Sequence, residues 1–324
     1  MAPKNTVVYH HTDSDGLMSL YVITVFEKLF EGTDVIARPM NYGDDLDDSK
    51  CNKNTDVYFV DFIPDDYDFV IKLASKVNSI TVIDHHASKI DFVDAVAKIK
   101  NIKVHIQCNV GTSAAMLAHN VLMPQVEPPK ILTDISNFDT HNIHNGKEAY
   151  YKLEIPMNIG FMFYHNDQAV ANSDFQEAFM NYYRGMLFDE ISDATVLLDE
   201  FNQQFLEIGL IIFKSQMKNW KDFAVKASFE AEIHGKKAIC LNINDKGSMQ
   251  FDAVYDPEKH DMMFGFSLID GKEQNWSISC YSDDNDSAEC GEFCKKHFGG
   301  GGHPGAAGGN FIGDIFSIMK IAKS

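Results

Sequence analysis

The feature that most restricts the fold is an alternation in the first half of the chain. Compact Val/Ile/Tyr/Phe runs bounded by polar residues are interleaved with segments whose apolar positions recur at helical spacing. Runs at residues 6–11, 34–40, 56–62, 79–86 and 103–108 read as buried strands, and segments 17–30, 67–77 and 114–122 as helices. Strand, helix and strand in this order predict a mostly parallel sheet with helices on its faces. Ligands of such sheets bind beyond the carboxyl ends of the strands. The polar clusters fall there: His10-His11-Thr12-Asp13-Ser14-Asp15 follows the first run, Asp61 closes the third, and Asp84-His85-His86 closes the fourth.

Beyond Gly111-Thr112-Ser113 and the third helix, Pro124 and Pro128-Pro129 act as breakers, and helical patterns dominate from 130 to 220. The longest, 191–220, is expected to link two domains. Strands resume at 237–243, 262–268 and 275–282, a helix follows at 286–298, and then comes the run Gly299-Gly300-Gly301-Gly302-His303-Pro304-Gly305-Ala306-Ala307-Gly308-Gly309. A length of 324 residues suits two domains. The expected division is 1–190, a linker helix 191–222, and a smaller α/β domain 223–324.

The formal net charge of −19 argues against a partner such as long duplex nucleic acid, whose affinity comes mainly from Lys and Arg at phosphates. An acidic chain can still take a phosphate ester if cations stand between its carboxylates and the ligand. The acidic runs Asp44-Asp45-Leu46-Asp47-Asp48 and Asp283-Asp284-Asn285-Asp286 read as solvated loops. No stretch approaches the roughly 20 apolar residues of a membrane span, and Met-Ala-Pro-Lys-Asn lacks a signal-peptide core, so a cytoplasmic protein without a membrane partner is expected. The six cysteines, Cys51, Cys108, Cys240, Cys280, Cys290 and Cys294, read as reduced thiols, with no zinc spacing to complete a site around the last two. The oligomeric state stays open, a homodimer included.

Carboxylates and imidazoles converging on one sheet edge can hold two divalent cations, which together acidify water and stabilise the entering and leaving oxygens of an in-line displacement. Oxygen-rich ligands with a few imidazoles suit manganese. The constellation is His11-x-Asp13-x-Asp15-Gly16, Asp61 and Asp84-His85-His86. Taken singly, Asp15 and Asp61 each also read as helix caps, and His10 could replace His11 if the register slips. Three adjacent titratable residues at a buried strand end are harder to explain as decoration, because burial without a partner is costly. The consecutive glycines at 299–302 let backbone N–H groups approach an anion, and His303 adds a donor, so the run reads as a phosphate cradle or, more plainly, as a flexible turn.

His11-Thr12-Asp13-Ser14-Asp15-Gly16, the strand-end Asp61 and Ile83-Asp84-His85-His86 resemble the first three motifs of the DHH phosphoesterases. The glycine-His run resembles the loop of the C-terminal domain that accompanies DHH domains. The motifs stand in family order from Val7 to about Phe311. The resemblance implies a DHH catalytic domain and an active-site cleft between the two domains. It places His11, Asp13 and Asp61 on one metal, and Asp15, Asp61, His85 and a fourth-motif Asp on the other. His86 would face the scissile phosphate, with Asp84 orienting its neighbours. The fourth motif resembles Ile135-Ser136-Asn137-Phe138-Asp139-Thr140, which favours Asp139 over the fallback Asp134, although His141 stands where the family has tryptophan. Gly300, Gly301, Gly302 and His303 would hold the substrate's phosphate end. Where the family often has Arg, this chain reads Ser279-Cys280-Tyr281-Ser282, so Tyr281 could stack on a base instead.

The resemblance is nearest to the nano-RNases, implying hydrolysis of short oligonucleotides or small nucleotides by water activated on two cations, manganese being the expected ion. Cyclic dinucleotides, 3′-phosphoadenosine 5′-phosphate, and a catalytically idle nucleotide-sequestering role are the alternatives that the sequence leaves open. The remaining histidines, His105, His119, His144, His165, His234, His260 and His297, read as ordinary polar or core residues.

Overall fold

The computed structural model describes residues 4–321 except 65, 87–88, 108–110, 141–146, 166–171, 189–193, 244–246 and 283–288. The expected strand end at Cys108, His144, the acidic loop 283–286 and the beginnings of the expected helices at 191 and 286 lie outside the described residues. The chain divides into two compact units, 1–213 and 214–324, with the division inside one long helix.

The first unit opens with β1 (Asn5–His11), α1 (Ser14–Phe26) and a π-helical turn at Glu27–Glu31, then β2 (Asp34–Met40) and β3 (Thr55–Val60). There follow α2 (Tyr67–Lys76), β4 (Ser79–Asp84), α3 (Ile90–Val96), β5 (Ile102–Ile106), α4 (Ala114–Leu122) and α5 (Lys130–Asp139). A short α6 (Lys147–Ala149) passes through a π turn, Tyr150–Glu154, into α7 (Ile155–Tyr164), followed by α8 (Ser173–Phe188) and α9 (Ala194–Ala227).

The five strands form a wholly parallel sheet in the order β2-β1-β3-β4-β5. The fully apolar stretches of β1 and β3 form its centre because both faces are covered, as continuous buried runs require. On one face Val8, Tyr58, Val60 and Ile83 pack beneath α1, α4 and the helices that follow. On the other, Val7, Tyr9, Phe59 and Val82 pack against α2 and α3. In this order the chain leaves β1 in one direction and returns to β3 on its other side. Such a reversal opens a crevice at the carboxyl ends of β1 and β3.

The second unit contains β6 (Phe229–Ile233), β7 (Lys236–Leu241), β8 (Met262–Asp270), β9 (Asn275–Tyr281), α10 (Cys290–Phe298), β10 (Gly301–His303), β11 (Ala306–Ile312) and β12 (Met319–Ile321). Its seven-stranded sheet, ordered β10-β11-β9-β8-β7-β6-β12, is antiparallel except between β7 and β8. Residues Phe293, Cys294 and Phe298 of α10 cover one face, and Phe251 and Ala224 pack on the other. Among the described residues no helix is long and apolar enough to cross a membrane.

Candidate metal centre

The centre begins in the turn from β1 to α1. Asp13 is the N-cap of α1, accepting from Gly16 N–H at 3.0 Å, and its other oxygen lies 2.7 Å from His11 Nδ1. The turn is tight enough that a Cβ on Gly16 would sit 2.2 Å from the His11 carbonyl oxygen, so glycine is required there. Helix capping therefore belongs to Asp13, and Asp15 points elsewhere. Fully buried, Asp15 accepts from the backbone N–H groups of Ala114 at 2.7 Å and Ala115 at 3.1 Å, the first turn of α4. A helix N-terminus offers unpaired donors and a partial positive charge, which offsets part of the cost of burying this carboxylate.

Asp61 follows β3 directly. Its backbone has φ +53, a left-handed conformation that a non-glycine residue rarely adopts. The residue is 1% exposed, and among the described residues neither carboxylate oxygen accepts a hydrogen bond. It abuts the Asp13 carboxyl, a contact that becomes attractive only with a proton or a cation between the two groups. Asp84 ends β4 with one oxygen fully used, accepting from the backbone N–H of His85 at 2.7 Å, that of His86 at 3.3 Å, and His86 Nδ1 at 2.7 Å. This bond fixes the His86 tautomer with its proton on Nδ1. His85 Nε2 lies 3.4 Å from Asp61 Oδ1, 3.3 Å from Asp139 Oδ2 and 3.9 Å from Asp15 Oδ2.

Among the described residues three groups form, the ligand atoms within each lying within 4.8 Å of one another: His11, Asp13 and Asp61; Asp15, His85 and Asp139; and Asp61, Asp84, His85 and His86. The structure thus brings together His11, Asp13, Asp15, Asp61, Asp84, His85, His86 and Asp139. His10 stays apart: it is buried with Nδ1 at 2.8 Å from the His11 carbonyl, and burial pushes it down to about 4. Asp134 is also apart, paired with Lys130 on another side of α5. His119 and His165 are buried core histidines bonded to Tyr183 and Tyr21.

The electrostatics point to missing positive charge. Burial, then the neighbouring Asp15, Asp13, Asp139 and Asp84, raise Asp61 well above the usual carboxylate range. Burial lifts Asp15 to about 7, and burial with Asp15, Asp13 and Asp84 lifts Asp139 to about 9. Asp13 is the exception: burial works to raise it, but the bond and charge of His11 outweigh this and hold it low. The Asp84 bond raises His86, while burial lowers His85. Orphaned oxygens on Asp61, Asp84 and Asp139 within a cluster of five carboxylates fit divalent cations, which satisfy lone pairs and charge together. Sequence reasoning missed the donors Ala114 and Ala115, whose only signal was Ser113 as the N-cap of α4.

In the second unit the glycine run is a hairpin rather than a loop. β10 pairs with β11 so closely that a Cβ on Gly300 would lie 1.9 Å from the Gly308 carbonyl oxygen, and Gly302, at φ +147, would place one 2.6 Å from that of Ala306. These glycines answer first to backbone packing, whereas a Cβ on Gly301 would meet nothing within 4 Å. The side chain of His303 lies outside the described residues. Tyr281, at the end of β9, is half-buried with its ring 6.4 Å from that of Phe251.

No family model and no curated protein matches the sequence. Among solved structures, the DHH domain of a member of a family of ribosomal proteins aligns over 95% of this chain and 83% of its own, with TM-score 0.51 at 13% identity. A pGpG-specific phosphodiesterase, PggH from Vibrio cholerae, aligns over 97% and 95% with TM-score 0.48 at 14% identity. The exonuclease RecJ bound to manganese aligns over 97% and 87% with TM-score 0.44 at 14% identity. The first of these likenesses establishes that the chain has the DHH-domain fold.

Proposed function

We propose that this DHH-fold chain is a two-metal phosphodiesterase acting on short oligonucleotides or related small nucleotides, as the nano-RNases do. The observation that carries the reading is Asp61: a buried carboxylate that accepts no hydrogen bond among the described residues, in contact with one imidazole-carboxylate group on each side. His11, Asp13 and Asp61 would hold one cation, and Asp15, His85 and Asp139 the other, with Asp61 shared. Two such cations, manganese being the expected ion, supply the positive charge that acidifies water and offsets the charge of an in-line displacement at phosphorus.

The residues of the chain do the rest. The α4 N-terminus fixes Asp15 so that its remaining lone pairs face the centre. Asp84 holds His86 by Nδ1 and raises it toward the imidazolium, whose Nε2–H would donate to the scissile phosphate. In the second unit, Gly300, Gly301, Gly302, His303 and Tyr281 are the proposed contacts for the substrate's far end.

The test is the purified full chain with manganese against RNA dimers to pentamers, cyclic dinucleotides, 3′-phosphoadenosine 5′-phosphate and inorganic pyrophosphate. The expected result is EDTA-sensitive release of mononucleotides, fastest from the short RNAs. Faster cleavage of a cyclic dinucleotide or of pyrophosphate would overturn the substrate reading, and silence on every compound would overturn the activity.

A further inference from the structure

The segment after β2 reads Asn41-Tyr42-Gly43-Asp44, a polar sequence with one aromatic residue. It folds as a tight turn: Asp44 N–H donates to the Asn41 carbonyl at 3.1 Å, Asn41 N–H donates to Asp44 Oδ2 at 2.7 Å, and Gly43 takes the left-handed position at φ +95. Thr12, between His11 and Asp13, donates to Asn41 Oδ1 at 2.6 Å and ties this turn to the metal-ligand turn. The turn therefore holds Tyr42 at a set place beside the centre. Its ring centroid is 5.9 Å from that of His11 and 5.4 Å from that of Phe62, the residue after Asp61. Yet the residue is 44% exposed, outside either hydrophobic core of the first unit.

A hollow of about 140 Å³ opens at this ring, walled by Tyr42, Leu46, Phe62 and Pro64, with Asp44 and Asp66 as its polar lining. The ammonium of Lys89, just after the Asp-His-His segment, lies 4.7 Å from the Tyr42 ring centroid, over its face. A half-exposed aromatic ring, a long lysine side chain over its face that a stacked base would displace, and the proposed phosphate-ester centre one ring away together match the parts of a nucleotide. Aromatic faces bind bases by stacking with little dependence on sequence, and a lysine can serve the base edge or a neighbouring phosphate.

We propose that Tyr42, braced by Phe62, is a stacking platform for the nucleobase of the nucleotide whose phosphate sits at the metal centre, the base displacing Lys89 from the ring face so that its ammonium meets the base's polar edge. This rests on the phosphodiesterase reading and deepens it, because such a platform selects nucleotide esters over phosphate chains that lack a base. The carboxylates of Asp44 and Asp66 in its lining make the hollow a poor site for a bare anion, so recognition there falls on the base.

The test compares the wild-type chain with Tyr42→Ala, Tyr42→Phe and Tyr42→Trp, with manganese, on an RNA dinucleotide and its counterpart lacking the base at the reacting residue. Loss of one base-aromatic stack corresponds to about a tenfold to hundredfold effect. Tyr42→Ala should raise KM for the base-bearing dinucleotide by that factor and collapse the preference over the abasic compound, whereas Phe and Trp should preserve it. Equilibrium binding of a nucleoside monophosphate, compared with ribose 5-phosphate, gives the same ratio without turnover. An unchanged ratio in Tyr42→Ala, or a Phe variant as damaged as the Ala variant, would overturn the platform. If the wild-type chain hydrolyses nothing, the activity reading fails, and the binding ratio still judges Tyr42.

Discussion

Replacing Asp61 by Asn distinguishes a metal centre from a structural cluster more sharply than loss of activity can. Asn is chosen because it keeps the size of the side chain and tolerates the left-handed backbone at φ +53, which Ala would not. In the metal-free protein at pH 8 the substitution removes one member of a crowded carboxylate group. A pair of charges within the 4.8 Å that spans Asp13 and Asp61 repels by roughly 3 kcal/mol at an effective dielectric of 20. The metal-free variant should therefore be more stable than the wild type by about 1–3 kcal/mol, part of the repulsion being already relieved by protonation. Manganese reverses the order. At a hundredfold excess over its dissociation constant a cation stabilises the wild type by about 2.7 kcal/mol, about 5–10 °C in melting temperature for a unit of this size. The variant should lose most of that gain together with turnover. Melting curves of both proteins, with EDTA and with graded manganese, decide the matter. A metal-free Asp61→Asn protein that melts well below the wild type, yet responds equally to manganese, would refute the reasoning and return Asp61 to a structural role.

Other outcomes follow from the same geometry. Asp15, raised to about 7, and Asp139, raised to about 9, bind protons in the folded protein that the unfolded chain releases near pH 4. Metal-free stability should therefore fall as pH rises from about 4 to about 9, by up to roughly 1.4 kcal/mol per pH unit for each proton; saturating manganese should flatten the decline, and a rising curve in EDTA would contradict these shifts. Asp139→Asn should weaken manganese binding at least tenfold by calorimetry, whereas Asp134→Asn should leave it unchanged and cost under about 1 kcal/mol, since it breaks a pair with a mostly exposed lysine. Gly16→Ala should destabilise the first unit by about 1–3 kcal/mol or more and abolish manganese binding, because the added methyl meets the His11 carbonyl; a normal melting curve would show that the turn can relax.

The sheet of the first unit was legible because its central strands carry unbroken apolar runs, Val7-Val8-Tyr9 and Val57-Tyr58-Phe59-Val60, as strands covered on both faces do. The strand-end rule then located His11, Asp61 and Asp84 to His86 without further information. The second unit was less readable. Phe229–Ile233 alternates apolar and charged residues over only five positions, and Met319–Ile321 is three residues long, too short for any period. The glycine run looked like a loop since nothing local reveals that Gly308 would pass against Gly300. Cys290 and Cys294 looked isolated, yet the fold sets Cys280 against Cys294 and brings Cys240 near, so that four thiols share one core. Spacing alone could not separate Asp134 from Asp139. Five residues on a helix turn the side chain by about 140°, and only the packed structure shows that one direction meets Lys130 and the other His85.

Asp15 shows why this centre resists reading from sequence and also why it is hard to regard as incidental. Beside the Ser113 hydroxyl, its partners are backbone N–H groups 99 and 100 residues away, which have no side-chain signature of their own. Donors that could satisfy a buried carboxylate were thus available to this fold, and Asp15 received them, while Asp61, its neighbour in the same crevice, received none among the described residues. Asp61 in addition sits on a left-handed backbone, which costs of the order of 1 kcal/mol or more, and an unpaired buried charge costs several. Left-handed residues and unpaired buried polar atoms also occur singly elsewhere among the described residues, as at His234 and Asn202. Asp61 combines the two at the reversal point of a parallel sheet, between two imidazole-carboxylate groups, where a bound cation would answer the charge and the empty lone pairs together.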